Sequence, residues 1–237
     1  LDPVDYSGTH HIGKTGIERF YEPELHGTVG YEEVETNARG RVLRVLKRTD
    51  PKPGKDIVLS LDIKLQEAAE AALGGRRGAI VAMDPRTGEV LAMVSLPSYD
   101  PNLFVNGTSH ADFDALNKNP SRPQFNRLVL GGVAPGSTLK PLLALAGMDS
   151  GVRKAEDKTL STGMFRLPGM TGRGWGDSHR GGHGWTDARK SIADSVNTYY
   201  YRLALDLGVE RFDSYLTRYG FGQPTGIDLV GEIGGIL

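Results

Sequence analysis

The sequence contains no cysteine. This absence excludes disulfide bonds, thiol catalysis and cysteine metal sites, and it leaves the redox compartment open. An excess of charge of one sign is also missing, since 28 Lys and Arg residues face 29 Asp and Glu residues and the net charge is −1. Nothing electrostatic therefore favours nucleic acid or an acidic membrane surface as a partner. No apolar run approaches the roughly 20 residues that cross a bilayer, and no signal peptide is visible at Leu1, although the chain can still be the soluble part of an anchored protein.

The composition is that of an ordinary globular protein. Of the 237 residues, 38% are hydrophobic and 24% are charged, which is enough for a sizeable core in one large domain, or in one domain with an appendage. Two prolines and a glycine interrupt the stretch from residue 49 to residue 55, where a regular element is expected to break. We therefore predict a polar, irregular first segment over residues 1–55 and a second domain over residues 56–237.

Apolar spacing and turn residues predict the local structure of the second domain. Asp62 is expected to cap a helix that ends at Gly74, and two hairpin strands over 78–84 and 89–95 follow it. The remaining predicted elements are a strand over 56–60, a short helix over 112–118, a helix from Ser137 to Gly151, an exposed glycine-rich loop over 163–184, a helix capped by Thr186, and helical runs over 198–207 and from Val209 to Gly220.

Ser137 and Lys140 form a Ser-x-x-Lys motif where a loop gives way to an apolar helical pattern. Residues three apart share a face of a helix, so Lys140 is expected beside the Ser137 hydroxyl. A serine becomes an effective nucleophile when an adjacent base takes its proton, and a helix start offers N–H groups and a dipole that favour an oxyanion. To act as that base, Lys140 needs a pKa below the ordinary value of about 10.4. The alternative is a Ser137 that only caps the helix and a Lys140 that is solvated.

Ser195 and Asn197 form a second motif, Ser-x-Asn, between two helical runs. A serine there can relay a proton and the asparagine amide can bind a substrate carbonyl; the alternative is a Ser and an Asn that merely break a helix. Ser-x-x-Lys followed by Ser-x-Asn begins the signature of β-lactamases and penicillin-binding proteins, whose third element is Lys-Thr-Gly. The Lys-Thr-Gly at residues 14–16 lies far before Ser137 in the polar first segment, and we reject it as the catalytic element.

The glycine-rich loop carries a possible metal site. Asp177, His179 and His183 lie within seven residues and could ligate zinc. A closed structural zinc site needs four ligands and the chain has no cysteine, so an exposed polar loop is the preferred interpretation and no metal is assigned. Trp175 and Trp185 could line a substrate groove, although a packed hydrophobic anchor is the preferred role.

Three stretches of the chain resemble class B penicillin-binding proteins. Residues 78–103 (GAIVAMDPRTGEVLAMVSLPSYDPNL) are similar to the hairpin that opens the transpeptidase domain of these proteins. Residues 125–141 (FNRLVLGGVAPGSTLKP) resemble the approach to their nucleophile. Residues 11–44 (HIGKTGIERFYEPELHGTVGYEEVETNARGRVLR) resemble the elongation-type, rod-shape members rather than the division-type ones. The resemblance covers nearly the whole chain, with several motifs in the right order.

The resemblance implies an α/β fold of the α+β kind, in which an antiparallel sheet has helices on both sides and a helical subdomain holds the Ser-x-Asn turn. The first 55 residues would be the end of a non-catalytic pedestal. Ser137 matches the acylated serine, Lys140 matches the lysine that deprotonates it, and Ser195 and Asn197 match the second motif, in which many relatives have aspartate in place of asparagine. The third motif has no counterpart before Leu237, so we expect a domain truncated before that motif, in which these residues alone are impaired in catalysis.

The implied reaction is the cross-linking of peptidoglycan. A stem peptide ending in D-Ala-D-Ala would acylate Ser137 and lose its terminal D-alanine, and an amine of a neighbouring stem would resolve the acyl-enzyme. β-Lactam antibiotics would acylate the same serine. The resemblance further implies a membrane glycan polymerase and other elongation-complex proteins as partners, no cofactor, and no nucleic acid. It places the protein on the periplasmic face of the inner membrane, anchored by an N-terminal segment outside this chain.

Three alternatives compete with this interpretation. A serine β-lactamase needs a water-activating group, but the Glu-x-x-Leu-Asn pattern of class A enzymes does not follow Asn197, and class D enzymes would have valine at that position. A β-lactam sensor domain would share Ser-x-x-Lys but lack the pedestal-like segment. A non-catalytic scaffold is favoured only by the missing third motif.

Overall fold

The computed structural model describes Tyr6, residues 11–105 and residues 107–237. The chain divides into two compact units. The first unit holds the described residues up to Gly131 together with Gly226–Ile233, and the second holds Gly132–Thr225 together with Gly234–Leu237.

The first unit begins with two short helices and a β-hairpin. The helices are α1 (Gly16–Phe20) and α2 (Glu22–Leu25), and the antiparallel strands are β1 (Tyr31–Thr36) and β2 (Val42–Thr49). The prediction that residues 1–55 are irregular is therefore wrong for the described part of that range. Residues 14–16, the rejected Lys-Thr-Gly, lead into α1 and form no strand.

Charge on the hairpin explains why its strands were missed. Strand β1 carries glutamates and β2 carries basic residues that pair across the strands, with Arg44 Nε 2.6 Å from Glu35 Oε2. Such cross-strand pairs stabilise a sheet, but their polarity conceals the strand pattern. A turn signal was available, because the Asn37 side chain accepts hydrogen bonds from the N–H groups of Arg39 and Arg41 and Gly40 has a φ of 76°. Asparagine and glycine at these positions are typical of tight turns.

The remaining elements of the first unit are α3 (Ile63–Leu73), β3 (Gly78–Met83), β4 (Val90–Leu96), a short 3₁₀ helix (Pro101–Phe104) and α4 (His110–Lys118). Strands β3 and β4 pair antiparallel, and Ala69 of α3 is buried with Ala92 and Val94 of β4. The hairpin and the short helix were predicted.

The start and end of α3 were also predicted. Asp62 caps α3 by accepting the N–H groups of Lys64 and Leu65, and Gly74 ends it in the left-handed conformation. The strand predicted over 56–60 is absent from the described structure. There, Ser60 bonds the Val90 carbonyl through its hydroxyl rather than through a backbone ladder.

The second unit has four α-helices, a short 3₁₀ helix (Gly136–Leu139) and two small pairs of antiparallel strands among the described residues. The helices are α5 (Lys140–Asp149), α6 (Ala188–Ala193), α7 (Asn197–Leu207) and α8 (Val209–Arg218). The strands are β5 (Thr159–Ser161) paired with β8 (Gly184–Thr186), and β6 (Met164–Phe165) paired with β7 (Trp175–Gly176). The core of this unit lies between α5, α6 and α7, where Ala144, Val196, Tyr199 and Leu203 are buried.

Two predictions for the second unit are wrong. The glycine-rich stretch is not simply an exposed loop, because β6 and β7 lie within it and β8 begins at its end. Asp187, rather than Thr186, caps α6 and accepts the N–H of Lys190 at 2.9 Å. Thr186 is fully buried in β8, and its hydroxyl donates to the Gly184 carbonyl. Threonine often caps helices, but Thr186 is paired within the β5–β8 sheet and therefore does not cap α6.

Within the described part of the chain, no helix combines the length and the apolar character needed to span a membrane.

We predict that Gly147→Ala destabilises the second unit. A Cβ built on Gly147 lies 2.6 Å from Leu203 Cδ1, and Leu203 is buried. Overpacking costs about 1–3 kcal/mol, which exceeds the roughly 1 kcal/mol that alanine gains over glycine in a helix. Urea unfolding should show a lower midpoint for the variant. Combining it with Leu203→Ala should cost less than the sum of the two single changes, because the second change makes room for the first. An unchanged or higher midpoint for Gly147→Ala would contradict the close packing of α5 against α7.

Candidate active site

Ser137 and Lys140 lie one turn apart at the start of α5. A 3₁₀ turn over Gly136–Leu139 leads directly into α5, which begins at Lys140. Gly136 has a φ of 57°, a conformation that glycine adopts readily. Pro141 is tolerated in the first turn of the helix, where its missing N–H has no intrahelical partner to lose. The local sequence thus fixes where the helix starts and which two side chains flank the start.

Ser195 occupies the short connection between α6 and α7. Its φ is 53°, which is uncommon for a residue with a side chain and costs on the order of 1–3 kcal/mol. The surrounding backbone holds it there, because the N–H of Ser195 donates to the Ile192 carbonyl and the N–H of Val196 donates to the Ser191 carbonyl. Val196 is fully buried in the core beneath the connection. The packing of α6 and α7 therefore sets the direction of the Ser195 side chain.

The amino group of Lys140 is buried among oxygens of the second motif. Lys140 is only 7% exposed. Its Nζ donates to the Ser195 carbonyl at 2.7 Å, to Ser195 Oγ at 3.0 Å and to Asn197 Oδ1 at 2.6 Å. The Tyr200 ring centroid lies 5.4 Å from the same nitrogen. Because an ammonium group has three donors, these neutral acceptors use its full hydrogen-bonding capacity.

Burial lowers the pKa of Lys140, and the negative charge of Asp177 opposes this effect without cancelling it. A low-dielectric environment disfavours the charged form of a lysine, whereas a nearby carboxylate favours it. The shifted pKa makes the neutral amine, which is the form able to accept a proton, easier to reach near neutral pH. The alternative of a solvated Lys140 is excluded by its burial.

Ser195 connects Lys140 to Ser137. Ser195 Oγ donates to Ser137 Oγ at 3.0 Å, while Lys140 Nζ is bonded to the same Ser195 oxygen. Among the described residues, no hydrogen bond joins Lys140 directly to Ser137. The lysine side chain instead reaches three acceptors of the 195–197 connection. When Lys140 is neutral, the two bonds can reverse and carry a proton from Ser137 through Ser195 to Lys140.

Asn197 is the first residue of α7, and its side chain is held at both polar atoms. Oδ1 accepts from Lys140, and Nδ2 donates to the Gly176 carbonyl at 3.0 Å. An amide nitrogen has two N–H donors, so one remains to bind another carbonyl. The geometry brings together the four residues singled out from the sequence: Ser137, Lys140, Ser195 and Asn197.

Asp177 lies in this region through contacts that the sequence did not reveal. Its carboxylate accepts hydrogen bonds from Ser161 Oγ at 2.8 Å, from the Thr198 N–H at 2.9 Å and from Thr198 Oγ1 at 2.5 Å. Burial acts to raise the pKa of Asp177, but the hydrogen bonds from Thr198 and Ser161 together lower it. The sequence carries only an indirect sign that the start of α7 needs such a partner. An apolar residue, Val196, precedes α7 where a capping side chain is usual, so the first turn needs a partner from elsewhere.

The proposed zinc ligands do not form a metal cluster. Among the described residues, no group of three or more histidine, aspartate or glutamate side chains is placed to hold a metal ion. The His179 and His183 ring centroids are 5.9 Å apart, and His183 Nδ1 lies 3.8 Å from Asp194 Oδ2. Asp177 is engaged by hydroxyl and N–H donors, as described above.

Neither tryptophan is a packed anchor, contrary to the preferred interpretation. Trp175 is 44% exposed and Trp185 is 63% exposed. The ring centroids of Trp175 and Tyr201 are 6.3 Å apart.

Known protein families match this chain in two places. The family model of the penicillin-binding protein transpeptidase domain matches residues 78–237, and that of the penicillin-binding protein dimerisation domain matches residues 2–59. The chain is 47% identical to the peptidoglycan D,D-transpeptidase MrdA of Escherichia coli (strain K12) over 232 residues, which cover 98% of this chain and 36% of that protein. The chain therefore spans little more than a third of the length of this relative. The boundary after residue 55 stays a prediction.

Solved structures match the fold closely. Penicillin-binding protein 2 of Pseudomonas aeruginosa, in complex with WCK 5153, is 50% identical with a TM-score of 0.87, over 100% of this chain and 49% of that chain. Penicillin-binding protein 2 of Helicobacter pylori, in a complex with MreC, is 33% identical with a TM-score of 0.85, over 95% of this chain and 42% of that chain. These matches confirm the predicted α/β class with antiparallel strands and helices.

We predict that Lys140 titrates below the ordinary lysine pKa of 10.5. Burial disfavours its ammonium form, so the midpoint should fall on the low side of that value. The ¹³Cε shift of Lys140, assigned by comparison with Lys140→Arg in lysine-labelled protein, should report this midpoint. A Lys140 midpoint at or above that ordinary value would contradict the depressed pKa.

The Asn197→Asp substitution tests whether the neutral acceptor at position 197 helps to keep the pKa of Lys140 low. A carboxylate in place of an amide oxygen 2.6 Å from Nζ should raise the Lys140 midpoint above that of the wild-type protein, because an opposite charge favours the ammonium form.

Proposed function

The chain belongs to the penicillin-binding protein transpeptidase family, and we propose that it carries the serine acylation site of an elongation-type peptidoglycan D,D-transpeptidase. The observation that supports this most directly is the continuous hydrogen-bonded path from Ser137 through Ser195 to buried Lys140. It joins a nucleophile, a relay and a base whose pKa is depressed.

In the proposed acylation step, Ser137 Oγ attacks the carbonyl carbon of the penultimate D-alanine of a stem peptide. The Ser137 proton passes to Ser195 Oγ as the Ser195 proton passes to neutral Lys140. A C–O bond forms to Ser137, and the C–N bond to the terminal D-alanine breaks. The proton held by Lys140 passes through Ser195 Oγ to the leaving nitrogen, so free D-alanine departs as an amine.

In the second step, an amine from a neighbouring stem peptide attacks the acyl-enzyme. A new C–N bond forms as the C–O bond to Ser137 breaks, and Ser137 regains a proton from the attacking amine by way of Ser195 and Lys140. The product is a cross-link between two stems. The free N–H of Asn197 Nδ2 is suited to hold a carbonyl of the donor stem. The N-terminus of α5, which begins three residues after Ser137, favours the negative charge of the tetrahedral intermediate.

β-Lactam antibiotics are proposed to acylate the same serine, because their amide resembles the D-Ala-D-Ala end. Partners are proposed from the family likeness: a membrane glycan polymerase and other elongation-complex proteins, with the H. pylori relative solved in a complex with MreC as support. The proposed location is the periplasmic face of the inner membrane, with an anchor outside this chain.

We predict that Ser137→Ala abolishes acylation by penicillin. Only Ser137 ends the proton path, and alanine has no oxygen to attack the lactam carbonyl. Mass spectrometry of the undigested protein after incubation with penicillin should show one adduct in the wild-type protein and none in the variant. Ser214→Ala, an exposed serine on α8, is the matched control and should acylate normally.

An adduct that survives Ser137→Ala would refute the assignment of the nucleophile. The lifetime of the wild-type adduct separates the proposed function from a β-lactamase. A transpeptidase should keep the adduct far longer than one lactamase turnover, whereas rapid recovery with hydrolysis of excess penicillin would favour the β-lactamase alternative.

We predict that Lys140→Arg lowers the acylation rate by orders of magnitude. Arginine keeps the positive charge but stays protonated, so it cannot accept the Ser137 proton. In the wild-type protein the rate should rise with pH as Lys140 loses its proton, with a midpoint below 10.5. Lys154→Arg, at an exposed position, is the control and should leave both the rate and its pH profile unchanged.

Circular dichroism should show that Lys140→Arg remains folded. If the folded variant acylates at a rate near that of the wild-type protein, the base is not Lys140, and Ser195 becomes the next candidate for that role.

A further inference from the structure

Helix α7 starts without a capping side chain of its own. The residue at its N-cap position is Val196, which makes no side-chain hydrogen bond and is fully buried. The first N–H groups of any helix lack intrahelical partners and need acceptors from elsewhere. The first residue of α7 is Asn197, which contacts Lys140, so the precision of this helix start affects the candidate active site directly.

Asp177 supplies the missing cap from 21 residues upstream of Thr198. Its Oδ1 accepts the N–H of Thr198, the second residue of α7, at 2.9 Å. Its Oδ2 accepts hydrogen bonds from the hydroxyl groups of Thr198, at 2.5 Å, and of Ser161, at 2.8 Å. A carboxylate at this end of a helix also interacts favourably with the helix dipole. Asp177 therefore fastens the N-terminus of α7 to β5, where Ser161 lies.

The strand before Asp177 makes a second attachment to the same helix start. The Gly176 carbonyl accepts from Asn197 Nδ2 at 3.0 Å. Neighbouring residues 176 and 177 thus bind neighbouring residues 197 and 198. Together with the bond from Lys140 to Asn197 Oδ1, these contacts fix the backbone at Thr198 and the side-chain amide of Asn197.

Glycines in this segment allow its strands to approach closely enough to present Asp177. A Cβ on Gly174 would lie 2.1 Å from the Phe165 carbonyl oxygen, and a Cβ on Gly163 would lie 2.1 Å from the Arg180 carbonyl oxygen. The Gly163 carbonyl in turn accepts the N–H of Asp177 at 3.1 Å. The glycine-rich sequence, which looked like an exposed loop, is therefore the support of a specific carboxylate.

We propose that Asp177 is a positioning residue for acylation: by capping α7 from the glycine-rich segment, it holds Asn197 and Ser195 where they can contact Lys140 and Ser137. This inference rests on the proposed acylation of Ser137. Asp177 acts through Thr198 and the helix start, and it bonds neither Ser137 nor Lys140 among the described residues.

The hydrogen bonds from Thr198 and Ser161 keep the pKa of Asp177 below its ordinary value, so the cap is a carboxylate at neutral pH. A protonated carboxyl group would lose one acceptor oxygen and its interaction with the helix dipole. The geometry is therefore best satisfied by the charged form, which the hydrogen bonds also favour.

The test compares Asp177→Ala and Asp177→Asn with a matched control in the intact protein. Asp187→Ala is the control, because Asp187 caps the neighbouring helix α6 by accepting the Lys190 N–H at 2.9 Å. Labelling by a fluorescent penicillin gives two quantities: the first-order rate constant at saturating penicillin, and the fraction of protein that is finally labelled. A variant that is only less well folded labels a smaller fraction at an unchanged rate constant.

We expect Asp177→Ala to lower the saturating rate constant by about 10- to 100-fold, in line with the cost of a small misplacement of reacting groups. Asp177→Asn should recover part of the rate, since its amide oxygen can still accept the Thr198 N–H. Asp187→Ala should keep the wild-type rate constant. A wild-type rate constant for Asp177→Ala, a loss confined to the labelled fraction, or an equal loss of rate in Asp187→Ala would overturn the proposal.

Two further measurements keep the proposal testable. If Asp177→Ala does not fold, Thr198→Val tests the proposal in its place. This substitution removes one hydroxyl donor to Asp177 and keeps the shape of the side chain. It should lower the rate constant, and an unchanged constant would count against the proposal.

If the wild-type protein is not labelled at Ser137, the proposed function fails instead. Amide hydrogen exchange at Thr198 then tests the cap alone, and it should accelerate in Asp177→Ala, which removes the acceptor of this N–H, and not in Asp187→Ala; equal exchange would overturn the inference.

Discussion

A lysine amino group buried among neutral oxygens is the constraint on which the second unit depends. Removing an ammonium group from water is costly, and a direct carboxylate partner would offset that cost. Lys140 instead donates to a carbonyl, a hydroxyl and an amide oxygen. These acceptors satisfy its donors without supplying negative charge. The amino group is thereby held in place while its pKa stays depressed.

The acceptors around Lys140 come from one short connection, and the helices on either side of it set their positions. Ser195 presents both its carbonyl and its hydroxyl to the lysine because its backbone is in the left-handed region. That conformation is unfavourable for serine by itself, so the packing of Val196 and the bonds to the end of α6 must maintain it. Close contact between Gly147 of α5 and Leu203 of α7 brings the lysine-bearing helix within reach. The site is therefore a consequence of helix packing as well as of its motif residues.

The parts of this structure that depend on neighbours in the sequence could be predicted from it. Ser137 and Lys140 lie one turn apart, and Asp62 caps the helix that follows it, because both relationships are set within a few residues. The relay through Ser195 was not predicted in its geometry, since the path of a lysine side chain depends on acceptors more than 50 residues away. The capping of α7 by Asp177 was missed for the same reason, as its donors and acceptors meet only after β5, β6 and β7 have paired. The charged hairpin was missed because its strands are stabilised by pairs across the strands rather than by an apolar face.

Two electrostatic requirements meet at the start of α7, and the residues there satisfy both. The helix N-terminus favours a negative charge, whereas Lys140 needs its surroundings free of a contacting carboxylate if its pKa is to stay low. Asp177 meets the first requirement by accepting the N–H of Thr198 with one oxygen. Its other oxygen accepts hydrogen bonds from the hydroxyl groups of Ser161 and Thr198. Its charge still raises the pKa of Lys140, but by less than burial lowers it. At the position that does contact Lys140, Asn197 offers a neutral oxygen to the lysine and an N–H to Gly176. The amide thus joins the capped helix to the lysine without bringing the carboxylate into contact with it.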